Sequence, residues 1–221
     1  RLINIGIAGL GRAGSGMQLR ELANKSDVFR ITAVCDIIEE RRNQPAEQNG
    51  CKAYEKVQDM IADPDVEMIS VATRSFEHFN HVKMGLEAGK DVLVEKPMCC
   101  TYDEALGLKE SAEKSSGNLY VRHNRRFEPG FQHIREIMDS GILGDVYEIK
   151  LRRVSYQRRD DWQTIIKFGG GQLLNWGPHI IDHGLQFLDS PLKDIWSELK
   201  MVASVGDAED HLKIILTGEN N

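Results

Sequence analysis

The sequence has no run of about eighteen apolar residues, so no transmembrane helix is expected. It has no excess of positive charge. Lys and Arg number 28 against 34 Asp and Glu, a net charge of −6. Bulk electrostatics therefore favour neither nucleic acid nor an anionic membrane as a partner. Cysteine is scarce: Cys35, Cys51, Cys99 and Cys100 show no CxxC spacing and no disulfide-scaffold pattern. Reduced thiols and a cytoplasmic location are the expectation, with Cys35 buried in an apolar run. There is no HExxH, because Ile180 follows His179, and no metal site is expected. Repeats, low-complexity tracts and flexible linkers are also missing. The first strand-like run begins at Leu2, so no signal peptide is expected, although a chain opening on Arg1 leaves a removed leader open.

What is present is ordinary globular material, 41% hydrophobic and 28% charged in 221 residues. At roughly 150 residues per domain, that is one domain plus part of another. Short apolar runs alternate with amphipathic stretches over the first half. Strands are expected at Leu2–Ala8, Arg30–Cys35, Lys52–Tyr54, Met68–Ala72, Asp91–Val94 and Asn118–Arg122. Helices are expected between them, one of them running from Ile38 to about Gln48 and open to a break at Pro45. Strands separated by helices imply right-handed βαβ units and a doubly wound parallel sheet. The pattern changes near residue 123. A helix at Pro129–Ser140 precedes a long alternating strand at Asp145–Tyr156, a helix at Gly170–Leu188, and strands at Ile195–Ser204 and His211–Thr217. The fold expected is α/β: a Rossmann domain over residues 1–122, then an α+β domain with an open-faced antiparallel sheet over 123–221.

Gly9-Leu10-Gly11-Arg12-Ala13-Gly14 is a GxGxxG run that follows a strand and opens a helix. Gly9 permits the tight turn, Gly11 the close approach of a pyrophosphate, and Gly14 close packing of helix on strand. The helix N-terminus then faces the phosphates. Asp36 ends the second strand, 22 residues after Gly14, where a carboxylate accepts ribose hydroxyls and repels a 2′-phosphate. NAD is the expected cofactor. Arg41 and Arg42 keep NADP open, although a solvated, charged helix face shared with Glu39 and Glu40 is the simpler reading.

Glu95-Lys96-Pro97 follows the strand Asp91–Val94, at the carboxyl end where open α/β sheets bind ligands. After Gly169-Gly170-Gly171, the residues Asn175, His179 and Asp182 recur at i, i+4 and i+7, on one helical face. A lysine and a histidine so placed could flank one substrate hydroxyl. The plainer alternatives are an ion pair of Lys96 with Glu95 and a half-buried structural His179. His183 is expected under the sheet. Trp162 and Trp176 fit sugar stacking or core packing equally well. Lys150, Arg152, Arg153, Arg158 and Arg159 suit an anionic sugar or, more simply, a solvated face.

These pieces together resemble the Gfo/Idh/MocA oxidoreductases, the glucose-fructose oxidoreductase and inositol dehydrogenase family. The matching motifs are GLGRAG, VCD, EKP, NRRF at Asn124–Phe127 and GGGQLLNWGPHIID at Gly169–Asp182. The resemblance implies hydride transfer between nicotinamide and a sugar or polyol. Lys96 then binds the reacting oxygen, and His179 accepts or donates its proton. It implies a cis Lys96–Pro97 bond. The implied cofactor-binding set is Gly9, Gly11, Arg12, Ala13, Gly14, Asp36, Thr73, Glu95 and Lys96. The implied substrate-binding set is Lys96, Arg126, Asn175 and His179. One departure is Asn175, where the family often has Asp; an amide cannot act as a base or raise a histidine pKa by its charge. Family members carry more C-terminal sequence, so the second domain is expected to be incomplete. A homodimer or homotetramer through the open sheet is expected. A non-catalytic NAD-sensing regulator and an NAD-dependent glycosidase are the competing readings, since fold does not fix function.

Overall fold

The structure, a computed structural model, describes residues 1–220, and the chain divides into two compact units at Arg122/His123. In the first unit, Ile3–Ala8 (β1) leads through a turn and a π-helical turn at Gly14–Gln18 into Leu19–Ala23 (α1). Then come Phe29–Cys35 (β2), Glu39–Asn49 (α2), Lys52–Tyr54 (β3), Val57–Ala62 (α3) and Met68–Val71 (β4). A 3₁₀ turn at Ser75–Glu77 opens His78–Glu87 (α4), followed by Asp91–Val94 (β5), Tyr102–Lys114 (α5) and Leu119–Val121 (β6).

All six strands pair in parallel in the order β3-β2-β1-β4-β5-β6. The order reverses between β1 and β4, which opens a crevice at the strands' carboxyl ends. The two faces of the sheet follow from the period-2 alternation of strands. On β2, Val34 packs with Ile7, Leu10 and Ala46 of α2, with Leu19 and Leu22 of the first helix beside them. Its neighbours Ala33 and Cys35 face the opposite layer with Met60 of α3, Leu86 of α4 and Leu108 of α5. Helix α2 runs through Pro45 without the break the proline suggested. Burial of Pro45 and Ala46 offsets the lost N–H.

The second unit begins with a 3₁₀ turn at Asn124–Phe127 and continues with Pro129–Asp139 (α6), Gln172–Asn175 (α7), Gly177–Leu188 (α8), Leu192–Lys200 (β7) and His211–Gly218 (β8). Strands β7 and β8 pair antiparallel, with Trp196 opposite Ile215. Two expectations need correction. The helix expected over Gly170–Leu188 is two helices, because Pro178 lacks the N–H that would continue the ladder through Trp176. The strand expected at Asp145–Tyr156 joins no ladder among the described residues, and Tyr147, Ile149, Val154 and Tyr156 are exposed. An alternating pattern specifies two faces but does not supply the partner whose hydrogen bonds make a strand.

The parallel sheet dictates where side-chain loss is felt. Ile69, 0% exposed in the middle of β4, should cost about 2–5 kcal/mol on replacement by Ala. Ile37, 81% exposed just past β2, should cost under about 0.5 kcal/mol. Urea unfolding followed by circular dichroism compares the two; equal losses would contradict this placement of the core.

Candidate active site

The turn after β1 is built by contacts that tolerate no side chain at two of its three glycines. Gly9 has φ +89°, and a Cβ there would sit 2.6 Å from the Ala72 carbonyl. A Cβ on Gly14 would overlap the Gly9 carbonyl oxygen. Gly11 differs: nothing of the protein lies within 4 Å of where its Cβ would be. The protein's own packing therefore requires Gly9 and Gly14, and leaves an unfilled cradle at Gly11. Ser15 is the first residue to donate back, to Gly11 O at 2.9 Å, so the amides of Arg12, Ala13 and Gly14 precede the ladder. Gln18 N–H reaches Ala13 O at 3.0 Å, the i→i−5 bond of a π turn. A diphosphate fits this cradle: backbone donors at a helix start beside a position where only hydrogen is present.

Asp36 stands at the end of β2 beside this turn. Its Oδ2 accepts from Leu10 N–H at 2.7 Å and its Oδ1 from Ile38 N–H at 2.9 Å. The carboxylate thus ties the glycine turn to β2, and each oxygen keeps a further lone pair. Arg42 is not the solvated residue of the simpler reading. It donates through Nη1 to the carbonyls of Asp36 at 3.1 Å and Ile37 at 3.3 Å. Arg41 is exposed.

At the end of β5, Glu95 is buried. Its Oε1 accepts from Gln18 Nε2 at 3.0 Å and Arg122 Nη1 at 3.0 Å. Gln18 in turn accepts from Ser70 Oγ at 2.7 Å, and Arg122 Nη2 bonds both Glu21 oxygens at 2.6 Å. Lys96 is half-buried, and its bond to Pro97 is cis. Thr73, past β4, meets His81 Nδ1 through its hydroxyl at 3.0 Å. His78 lies between the two loops, with Nδ1 2.7 Å from Pro97 O and Nε2 3.1 Å from Thr73 O. Sequence reading missed Gln18, Ser70, His78 and Arg122. A polar residue on a buried helical or strand face was the available signal.

In the second unit, Asn175, His179 and Asp182 are all buried. Asn175 closes α7, whereas His179 and Asp182 lie on α8, so one continuous helical phase does not relate the three. Asn175 Oδ1 accepts from Gln163 Nε2 at 3.4 Å. Arg126 grips Asp182 in a bidentate pair, Nε to Oδ2 at 2.7 Å and Nη2 to Oδ1. Burial alone would raise the Asp182 pKa. The Arg126 bonds and the charges of His123, Arg126 and His183 outweigh it and hold the carboxyl below its usual range. The Trp176 ring carries guanidinium groups, Arg153 at 3.5 Å and Arg125 at 4.4 Å, where a sugar face was one expectation. His183 stacks on Phe131 at 4.2 Å and meets the Arg125 carbonyl at 3.2 Å. Gly171 has φ +105°, the Glu209 carboxylate occupies the space a Cβ would need, and Glu209 Oε1 accepts from Leu173 N–H at 2.8 Å. No cluster of three or more His, Cys, Asp or Glu suited to a metal occurs among the described residues.

Residues 3–123 match the model of an oxidoreductase family with an NAD-binding Rossmann fold, and residues 131–221 match the GFO/IDH/MocA C-terminal domain. The scyllo-inositol 2-dehydrogenase (NADP⁺) IolW of Bacillus subtilis is 30% identical over 193 residues, 86% of this chain and 52% of that protein. The rhizopine catabolism protein MocA of Rhizobium meliloti is 31% identical over 178 residues, 80% of this chain and 55% of that protein. Among solved structures, an NAD-binding protein from Listeria innocua superposes with a TM-score of 0.89 at 29% identity, covering 100% of this chain and 64% of that one. The chain spans about half the length of the curated relatives it matches.

The Asp182 pair sets a pH dependence. A carboxylate with a depressed native pKa contributes stability that is complete above its unfolded pKa of about 3.9 and is lost as pH falls through the native value. Asp182→Asn should cost about 1–2 kcal/mol at pH 7, less than a fully buried pair because Arg126 is 42% exposed. The difference from wild type should shrink below pH 4. Urea midpoints between pH 7 and 2.5 measure it, and a difference that grows on acidification contradicts this assignment.

Proposed function

Because the chain belongs to the Gfo/Idh/MocA oxidoreductase family, with its NAD-binding Rossmann fold, we propose that it is part of an NAD(P)-dependent dehydrogenase of sugars or polyols. Residues 1–122 are the cofactor-binding domain, and residues 123–221 are a portion of the substrate-binding and association domain. The observation that carries this reading is the pairing of the open cradle at Gly11 with Lys96 at the carboxyl ends of one parallel sheet. The relatives support the substrate class: IolW is described as a scyllo-inositol dehydrogenase, and another relative, 26% identical, as a D-glucoside 3-dehydrogenase.

The amides of Arg12 and Ala13 meet the pyrophosphate, and Asp36 meets the adenosine ribose. Asp36 favours NAD; NADP remains within the family's range, as IolW's name records. Thr73 and Glu95 complete the cofactor side, Glu95 as the residue that holds the strand end in place. When bound, the nicotinamide accepts or returns the hydride. Lys96 binds the reacting oxygen and stabilises its negative charge by its own positive charge. His179 takes the hydroxyl proton in oxidation and returns it in reduction. Arg126, oriented by Asp182, and Asn175 contact the substrate's other hydroxyls. Asn175 orients by hydrogen bonding and moves no proton.

The protein works in the cytoplasm, a reading supported by four free cysteines and by the absence, among the described residues, of a helix long and apolar enough to cross a membrane. It associates as a dimer or tetramer through its second unit. Exposed Ile195, Trp196 and Ile215 on β7 and β8, with Tyr147, Val154 and Tyr156 before them, support that.

Turnover of a panel of sugars and polyols, followed by the near-ultraviolet absorbance of reduced cofactor, tests the reaction. Lys96→Ala should lower kcat at least about 100-fold and leave NAD affinity within about threefold, because pyrophosphate and ribose are held elsewhere. Undiminished turnover in Lys96→Ala would falsify the mechanism. The cradle has its own test. Gly11→Ala should keep its melting temperature but bind NAD at least about tenfold more weakly, whereas Gly14→Ala should lose about 3 kcal/mol or more of stability. Calorimetry and thermal melts separate the two, and similar melts for both would show that Gly11 is not kept open for a ligand.

A further inference from the structure

His78 is the first residue of α4 and is 2% exposed. Its ring spans the loops that follow β4 and β5. Nδ1 lies 2.7 Å from the Pro97 carbonyl oxygen, and Nε2 lies 3.1 Å from that of Thr73. Both partners only accept hydrogen bonds. A neutral imidazole carries a single N–H and satisfies one of them, while an imidazolium would satisfy both. Burial pushes the His78 pKa below its ordinary value, against the raising effect of the two carbonyls and of the Glu95 and Glu77 carboxylates. At neutral pH the ring therefore holds one proton. The contact to Pro97 is the shorter of the two, the geometry of a proton carried on Nδ1 and donated to the Pro97 carbonyl.

The residue before Lys96 is held as well. Glu95 is fixed by Gln18 and Arg122, so Lys96 stands between two anchored neighbours. One anchor is a side chain bonded toward the first helix and β6. The other is a backbone carbonyl bonded to the start of α4. We propose that His78 is a positioning residue for Lys96: its Nδ1–H···O=C bond to Pro97 pins the segment Glu95-Lys96-Pro97 and sets the direction in which the lysine leaves the sheet. The proposal rests on Lys96 being the group that meets the reacting oxygen. A displacement of about 1 Å at such a group costs on the order of 100-fold in rate.

Two amide replacements separate this role from simple packing. In Asn the side-chain nitrogen takes the place of Nδ1, and in Gln it takes the place of Nε2. H78N keeps the donor to Pro97, and H78Q keeps only the donor to Thr73. The expected result is that H78Q loses about 30-fold or more in kcat with NAD affinity within about threefold, while H78N loses no more than about threefold. Equal losses in H78N and H78Q, or no loss in either, overturn the positioning role while an inactive Lys96→Ala leaves the lysine mechanism standing. An active Lys96→Ala overturns both. A second measurement needs no variant. In protein labelled with ¹⁵N-histidine, long-range ¹⁵N–¹H correlation should show the His78 ring as the Nδ1–H tautomer with a slowly exchanging proton. An Nε2–H tautomer overturns the proposal regardless of the kinetics.

Discussion

Glu95 carries a carboxylate out of water at the point where the ends of β4, β5 and β6 meet the first helix. A charge in that position is costly unless it is paired and hydrogen-bonded. Here one oxygen takes both the Gln18 amide and the Arg122 guanidinium. The chain of bonds continues to Ser70 on β4 and to Glu21 on α1. Five residues from four separate parts of the sequence are thereby locked to one another at the carboxyl edge of the sheet. The π turn belongs to the same constraint, since Gln18 closes it and turns its amide inward. With Glu95 so held, the next residue in the chain, Lys96, inherits a fixed starting point.

The Asp36 carboxylate does comparable work on the neighbouring edge. It joins Leu10 in the glycine turn to Ile38 at the start of the following segment. The residue expected to face the ribose is thus first of all a clasp between β2 and the turn. Arg42 supports that clasp through the Asp36 and Ile37 carbonyls, which aligns a positive charge with the strand end rather than with solvent.

Much of the first unit was legible because its signals are local. Apolar runs of four to seven residues, glycines at strand ends and helical stretches between them follow from period and turn chemistry alone. The glycine turn and Asp36 were readable because their spacing reports a strand, a turn and a second strand in series. The Glu95 network was not readable, since Gln18 and Glu95 are 77 residues apart and nothing local marks them as partners. His78 was hidden for the same reason, one polar residue at the head of an amphipathic helix. In the second unit Pro178 marks the interruption at Trp176, but the good apolar period on both sides masks it. The stretch from Asp145 to Tyr156 shows the opposite failure. Its alternation is clear, but pairing is a property of two segments, and a pattern in one of them does not name the other.

The chain contains two glycine-rich turns that open helices, and their electrostatics differ. At Gly11 nothing of the protein lies within 4 Å of where a Cβ would be, and the amides of Arg12, Ala13 and Gly14 precede the helical ladder. At Gly169–Gly171 the carboxylate of Glu209 already lies against the helix start and accepts from Leu173, with its backbone carbonyl on Gln172. Both leading amides of that short helix are thereby taken by one residue of the protein. The second glycine turn thus spends on Glu209 the donors that the first keeps outside its ladder, although the two sequences look alike.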